Sequence, residues 1–295
     1  MPYMLRKTYA FMIASTVLYA INGTIDYLVV KNMQLGLAML SIAIGITLGI
    51  IAAGYAFKLR FRLKDAKRYY LGAFSAVMIV SYTMLLLFGY TRYTLASIYP
   101  LIGLSSLVFF LIDFARYRKS LRPRQVALLA IGVLFVVIGV FFAESKGFSF
   151  QIGTLPFVFG ISIIAGAGYY TQFYKIKKYS IGSKLVLQPV IFLPIALFVT
   201  FYIGGASLNY AYFGLGLFGG FTFSFASVFE LRAMKLTKTR GIGRTVITRN
   251  FINNFEYADT VLVLFGSVII GSYYPIELVG GALIVLGIIL IGKPL

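Results

Sequence analysis

Where the positive charge sits relative to the apolar runs constrains this chain more than any other feature. Ten stretches, each about 20 residues and so long enough to cross a bilayer as a helix, follow one another. They are Thr8–Val30, Met33–Phe57, Tyr70–Tyr90, Tyr93–Arg116, Gln125–Ala143, Gly153–Lys175, Lys184–Gly204, Tyr210–Leu231, Val246–Ile270 and Pro275–Gly292. Lys and Arg collect between them unevenly. The N-terminal segment holds two (Arg6, Lys7). The connections after the second, fourth, sixth and eighth stretches hold six, five, four and six, and the C-terminal segment holds Lys293. The odd connections hold only Lys31, Arg92 and Lys146, so 24 of 27 basic residues fall on one side of the alternation. Cytoplasmic connections accumulate Lys and Arg while translocated ones do not. The expected fold class is therefore an all-α integral membrane protein with ten transmembrane helices. It is expected to be multi-pass in the cell (plasma) membrane, with N- and C-termini cytoplasmic.

Composition agrees. A 60% hydrophobic content and a mean hydropathy of +0.91 exclude an ordinary soluble domain, and ten helices with short turns leave no room for a soluble catalytic domain among 295 residues. A net charge of +19 would point to nucleic acid in a soluble protein. Here topology and anionic headgroups account for it better. The first span carries no small-residue cleavage site after it and is expected to be retained rather than removed as a signal peptide. Cys and His are both absent, which removes thiol chemistry, the common metal ligand and the usual near-neutral proton carrier. Proton coupling would have to use carboxylates. No cofactor is expected, because the chain has no Walker loop, no dinucleotide turn after a strand and no metal-ligand cluster.

The longest polar stretch on the sparsely charged side is Glu144–Gln151 (ESKGFSFQ). Cutting there gives residues 1–147 and 148–295, five spans each. An odd number of spans per half turns the second half upside down, so two inverted five-helix repeats are expected, as in many secondary transporters. The last spans of the halves compare best. Each opens at a Pro (Pro123, Pro275), and each is punctuated by Gly: Gly132 and Gly139 in one, Gly280, Gly281 and Gly287 in the other.

Thr91–Phe114 (TRYTLASIYPLIGLSSLVFFLIDF) is a small-residue-rich span with Ala96, Ser97 and a central Pro100. With the basic turn and Gly-bearing helix after it, it resembles the fourth and fifth spans of the drug/metabolite transporter superfamily's EamA-type repeat. Pro275–Ile291 (PIELVGGALIVLGIILI) resembles the closing helix of the same repeat. The resemblance extends over the whole chain in span count, length and orientation. It implies a ten-helix permease exporting or exchanging amino acids, related metabolites or drugs, with sugar-phosphate and nucleotide-sugar carriers also in the superfamily. Span nine differs, carrying a polar run from Arg249 to Asp259 where the family tends to be apolar with a Pro.

Eight acidic residues can be weighed singly. Asp65, Glu144 and Glu277 fall in loops or at outer ends, where a solvated role is expected. Asp113 and Glu230 lie at inner ends near Arg116 and Arg232 and read as end-of-helix ion pairs. Asp26, Glu256 and Asp259 lie inside apolar runs, where a charge costs about 2.5–3.5 kcal/mol unless it faces a cavity or a partner. At helical spacing Arg249, Asn253, Glu256, Thr260 and Ser267 form one stripe, and Asp259 stands one turn from Glu256. Two acids that close cannot both ionise freely in a low dielectric, which suits a group that loads and releases a proton. The bland alternative is a structural network in which Arg249 neutralises one acid, or simply snorkels, while Asn250, Asn253 and Asn254 bond to neighbouring helices.

Asn22 and Asp26, one turn apart in span one, read as cavity lining, with an interfacial place near Lys31 as the alternative. Tyr170 and Gln172 belong to a polar-aromatic run, Tyr169 to Gln172, in the corresponding inverted span. Gln188 beside Pro189 reads as a kink neighbour rather than a ligand contact. Pro100 and Pro194 should bend their helices. Gly45-Ile-Thr-Leu-Gly49 and Gly216-Leu-Phe-Gly-Gly220 have the spacing that lets helices approach closely.

The expected function is alternating-access transport of a small polar solute. An acid-rich site favours a neutral or cationic, amino-acid-like solute, since phosphate sites need converging Lys or Arg. The substrate/proton-binding residues would be Glu256, Asp259, Asn253, Arg249, Asp26, Asn22, Tyr170 and Gln172. A lipid or lipid-linked sugar flippase of the same fold is the alternative; an intramembrane enzyme or a non-transporting scaffold fits less well. The expected partners are a small-molecule substrate and membrane lipids, not nucleic acid, and a homodimer is compatible with the chain.

Overall fold

The computed structural model describes residues 2–60, 69–102, 123–143, 145–146, 149–150, 154–171, 180–203, 208–238 and 246–292. The described backbone is helical almost throughout. In chain order the helices are α1 (Pro2–Asn32), α2 (Leu35–Ala56), α3 (Tyr69–Arg92), α4 (Leu95–Ile102), α5 (Pro123–Ala143), α6 (Thr154–Tyr170), α7 (Ile181–Leu185), α8 (Leu187–Ile203), α9 (Tyr210–Lys238), α10 (Val246–Ile269) and α11 (Pro275–Gly292). The one departure from the all-α expectation among the described residues is a two-residue antiparallel pairing. Ser145 and Lys146 (β1) face Phe150 and Ser149 (β2), inside the polar stretch at the mid-point of the sequence.

Among the described residues five helices are long and apolar enough to cross a membrane: Lys7–Asn32, Leu35–Ala56, Tyr70–Arg92, Ile181–Tyr202 (α7 with α8) and Tyr210–Ala233. Three more are apolar but shorter over the described residues, at Ala127–Ala143, Ala258–Ile269 and Pro275–Leu290. Of the expected fourth span only Leu95–Ile102 is described as helix, and the expected sixth forms Thr154–Tyr170. The α7/α8 junction has a local cause. Pro189 has no amide hydrogen to donate to the Leu185 carbonyl, and the helix breaks at Val186. The helix runs on through Pro194.

The chain divides into two compact units that do not follow the sequence halves 1–147 and 148–295. One comprises Met1–Arg92 with Ala167–Leu236, the other Tyr93–Gly166 with Thr237–Leu295. Each interleaves segments from both halves.

In the first unit the helix directions follow from the contacts. Ser15 Oγ donates to Ala226 O and Asn22 Nδ2 to Gly219 O, so α1 and α9 run antiparallel. Gly36 meets Thr200 and Gly49 meets Ser224, which sets α2 antiparallel to α8 and parallel to α9. One end gathers residues from the basic connections: the Arg232 guanidinium donates to Phe57 O at 3.0 Å and lies 4.4 Å from the centre of its ring, and Ser180 Oγ donates to Arg60 O. The opposite end gathers the sparsely charged ones. Lys31 Nζ donates to Thr91 O at 3.4 Å, and Thr200 Oγ1 to Gly36 O at 2.8 Å. Both cations sit at helix C-termini, where exposed carbonyls and the helix dipole favour positive charge.

In the second unit α5 and α11 pack antiparallel along their glycines. A Cβ on Gly139 would stand 2.7 Å from Gly280 O, and one on Gly287 would stand 2.5 Å from Gly132 O. Val136, Val140, Ala143, Ile284, Val285 and Ile288 fill the space around that contact.

Candidate functional site

The first unit carries a buried polar seam along α1. Ser15, Tyr19, Asn22 and Asp26 recur at intervals of four, three and four residues, which puts them on one helical face. All but Tyr19 are buried, and all face α9. Tyr19 Oη lies 3.0 Å from Ser227 Oγ and donates to Glu230 Oε2 at 2.9 Å, its ring edge-on to Phe223. Asn22, 7% exposed, donates to Gly219 O at 3.1 Å. Asp26 is 5% exposed and its carboxylate lies against Gly219. A Cβ at Gly219 would stand 2.9 Å from Asp26 Oδ1, so any larger residue there would push the Asp26 side chain aside. Asn22 and Asp26 therefore occupy a helix–helix seam, and Lys31, near the end of the same helix, lies over the Tyr27 ring and donates to Thr91 O.

Two expectations need correction. Glu230, expected in an end-of-helix ion pair, accepts the Tyr19 hydroxyl, while Arg232 donates to the end of α2. Glu277 is not solvated. It is 1% exposed, and its Oε2 accepts from the Tyr274 amide at 2.8 Å and from Thr94 Oγ1 at 2.7 Å. Pro275 opens α11, so Glu277 falls at its third position and caps the amide before the helix, the reciprocal arm of a capping box. Ser272 completes this corner by accepting the Leu95 amide.

In the second unit Tyr99 Oη donates to Asp259 Oδ2 at 2.8 Å, joining α4 to α10. Thr260 and Ser267, from the expected stripe, are buried on α10, and Ser267 Oγ returns to Leu264 O of its own helix. Arg249, Asn253 and Glu256 lie on the same helix, but their side chains fall outside the described residues, as does Gln172 entirely. Tyr170 is half-buried at the end of α6, and Thr171 is buried with its hydroxyl bonded to Ala167 O. Gln188 is buried at the α7/α8 break. Among the described residues no group of three or more His, Cys, Asp or Glu side chains could hold a metal ion.

No family model matches the chain, and no curated protein matches it. Solved structures do. One, described only as "Crystal structure of protein", superposes with a TM-score of 0.59 at 14% identity, over 96% of this chain and 95% of that chain. That likeness is one of fold.

Sequence reasoning missed Ser15, Tyr19, Ser227, Glu230 and Tyr99 as members of these polar contacts. A signal for the first two was present in the four-three-four spacing that ends on Asn22 and Asp26. No such signal existed for Tyr99, whose partner lies 160 positions away.

Proposed function

We propose that the chain is a secondary active transporter that moves a small polar solute, neutral or cationic and amino-acid-like, across the cell membrane by alternating access. The observation that carries this reading is the buried α1–α9 seam. A transmembrane helix that only anchors a protein has no use for Asn22, Asp26 and Tyr19 on one buried face, because each polar group there must be satisfied at a cost in lipid. An acidic, amide- and hydroxyl-lined seam suits an ammonium or a polar neutral group. The gathering of Phe57, Arg60, Ser180 and Arg232 at one end of the first unit supports cytoplasmic termini and a cytoplasmic basic face. Membership of the drug/metabolite transporter superfamily and two inverted repeats, 1–147 and 148–295, belong to the same proposal.

The test is pH-gradient-driven uptake into proteoliposomes, screened over pooled radiolabelled amino acids, sugars and nucleotides. Asp26→Asn and the pair Glu256→Gln/Asp259→Asn serve as controls. Accumulation of one pool that is lost in a control variant supports the reading; no accumulation of any pool by folded protein refutes it. Because the chain has no Cys, single cysteines at Arg62 and Lys146 report sidedness, and they should react from opposite faces of the membrane.

A further inference from the structure

Four acidic side chains are described within the helices, and three of them accept a hydrogen bond from a neighbouring element or turn. Glu230 accepts from Tyr19, Asp259 from Tyr99, and Glu277 from Thr94 and the Tyr274 amide. Asp26 differs. Its Oδ1 is buried and meets no hydrogen-bond partner among the described residues. A carboxylate oxygen in that position is satisfied only when something binds it.

Room limits what that can be. Gly219 approaches Oδ1 so closely that even a methyl group on it would press against the carboxylate, and Ile25 Cγ2 would stand 2.9 Å from the same methyl. Asn22 directs its amide nitrogen to Gly219 O. A hard cation needs about six oxygen ligands, whereas the groups that gather with Oδ1 beside Gly219 are an isoleucine methyl and the Asn22 amide nitrogen. A proton needs only the oxygen itself.

Charges on the surrounding helices stand at their ends. The apolar helix α2 carries no Asp, Glu, Lys or Arg, and α3 has only Arg92, which lies over Phe88. On α9 the charged residues Glu230, Arg232, Lys235 and Lys238 cluster towards the far end, and on α1 itself Lys31 lies over Tyr27. Tyr27, the next residue in sequence, stands edge to face with Tyr90.

We infer that Asp26 is a proton-binding site whose loading closes the seam between α1 and α9. With the proton on Asp26 the side chain is neutral and α1 rests on Gly219. On release the proton passes to water, and the carboxylate charge draws water between the helices and parts them. As the coupling step of transport this rests on the transporter reading above; as a property of α1 and α9 it does not.

The test uses the full chain in lipid vesicles and needs no substrate. Infrared difference spectra recorded across a pH titration should show a protonated carboxylic band that disappears in Asp26→Asn and persists in Asp259→Asn. In parallel, Thr222→Cys reports the seam from α9, where Thr222 is buried. Its maleimide labelling rate should rise severalfold more across the titration in the Asp26 chain than in Asp26→Asn, which mimics the loaded state. A band that survives in Asp26→Asn, or labelling that rises equally in both chains, overturns the inference. If Asp26→Asn does not fold, Asp26→Glu takes its place, and a band that fails to move in frequency overturns it as well. If the band and the labelling behave as expected while no solute accumulates, the transport reading falls and the proton site stands.

Discussion

Gly45 and Gly220 lie backbone against backbone: a Cβ on Gly220 would stand 2.9 Å from the Gly45 carbonyl carbon and 2.6 Å from Ile46 N. Their helix neighbours repeat the contact one turn along. Gly49 meets Ser224, whose Oγ donates to Ile46 O at 2.8 Å, and Gly216 meets the Ser41 side chain. Between apolar helices in lipid there is no hydrophobic gain from association, so close approach through small residues and cross-helix hydrogen bonds must hold α2 to α9.

Substituting Gly220 by Ala should therefore destabilise the protein by about 1–3 kcal/mol, the usual cost of overpacking. Gly214, on the same helix, has open space around its Cβ position. There the same change should stabilise by about 0.5–1 kcal/mol, because alanine is the better helix former. Thermal unfolding in detergent distinguishes them, and equal midpoints for the two variants would contradict the packing described.

Glu277 should behave as a structural acid. Glu277→Ala leaves the Tyr274 amide and the Thr94 hydroxyl without their acceptor and should cost about 1–3 kcal/mol. Glu277→Gln keeps an acceptor oxygen and should cost less. Whatever uptake the protein shows, normalised to folded protein, should be the same in Glu277→Gln as in the parent; a selective loss of uptake would return Glu277 to the site.

Tyr99 and Asp259 should couple in a double-mutant cycle. A hydrogen bond contributes about 0.5–1.5 kcal/mol, so Tyr99→Phe and Asp259→Asn combined should destabilise by less than the sum of the single changes. Strict additivity in unfolding measurements would show that the 2.8 Å contact holds nothing together.

Lys58 ends α2 in the left-handed region, with φ of 49°. Its amide bonds to Tyr55 O, and Leu59 N to Gly54 O, the paired bonds of a Schellman turn. The same turn ends α10, but with Gly271 in the left-handed place. Lys58→Gly should relieve a conformational cost of about 1 kcal/mol, offset in part by losing a cation near the helix end. A raised unfolding midpoint is expected, whereas Gly271→Ala should lower it.

Much of the architecture was legible in local pattern. Apolar runs of helical length, the alternation of Lys and Arg, the glycine spacings of Gly45–Gly49 and Gly216–Gly220, and the Pro that opens α11 all depend on residues close together in sequence. Even the polar face of α1 is a matter of spacing. The candidate site was legible only in its ingredients: Asn22 and Asp26 were in view, but Glu230 and Glu277 were assigned to solvent or to a neighbouring Arg because each stands near a span end.

The sequence by itself thus determined that this is a helical, strongly apolar chain with its basic residues on alternate connections, because helix formation and charge segregation are local. Only the tertiary structure decided which glycine pair meets which and that the two compact units interleave segments of both sequence halves. It alone decided that Glu277 is buried as a cap, and that Asp26 lies against Gly219 with no donor at Oδ1 among the described residues. Each of these depends on which helix face meets which between segments far apart in the chain, and helical periodicity, which records only that a face is buried, carries no information about its partner.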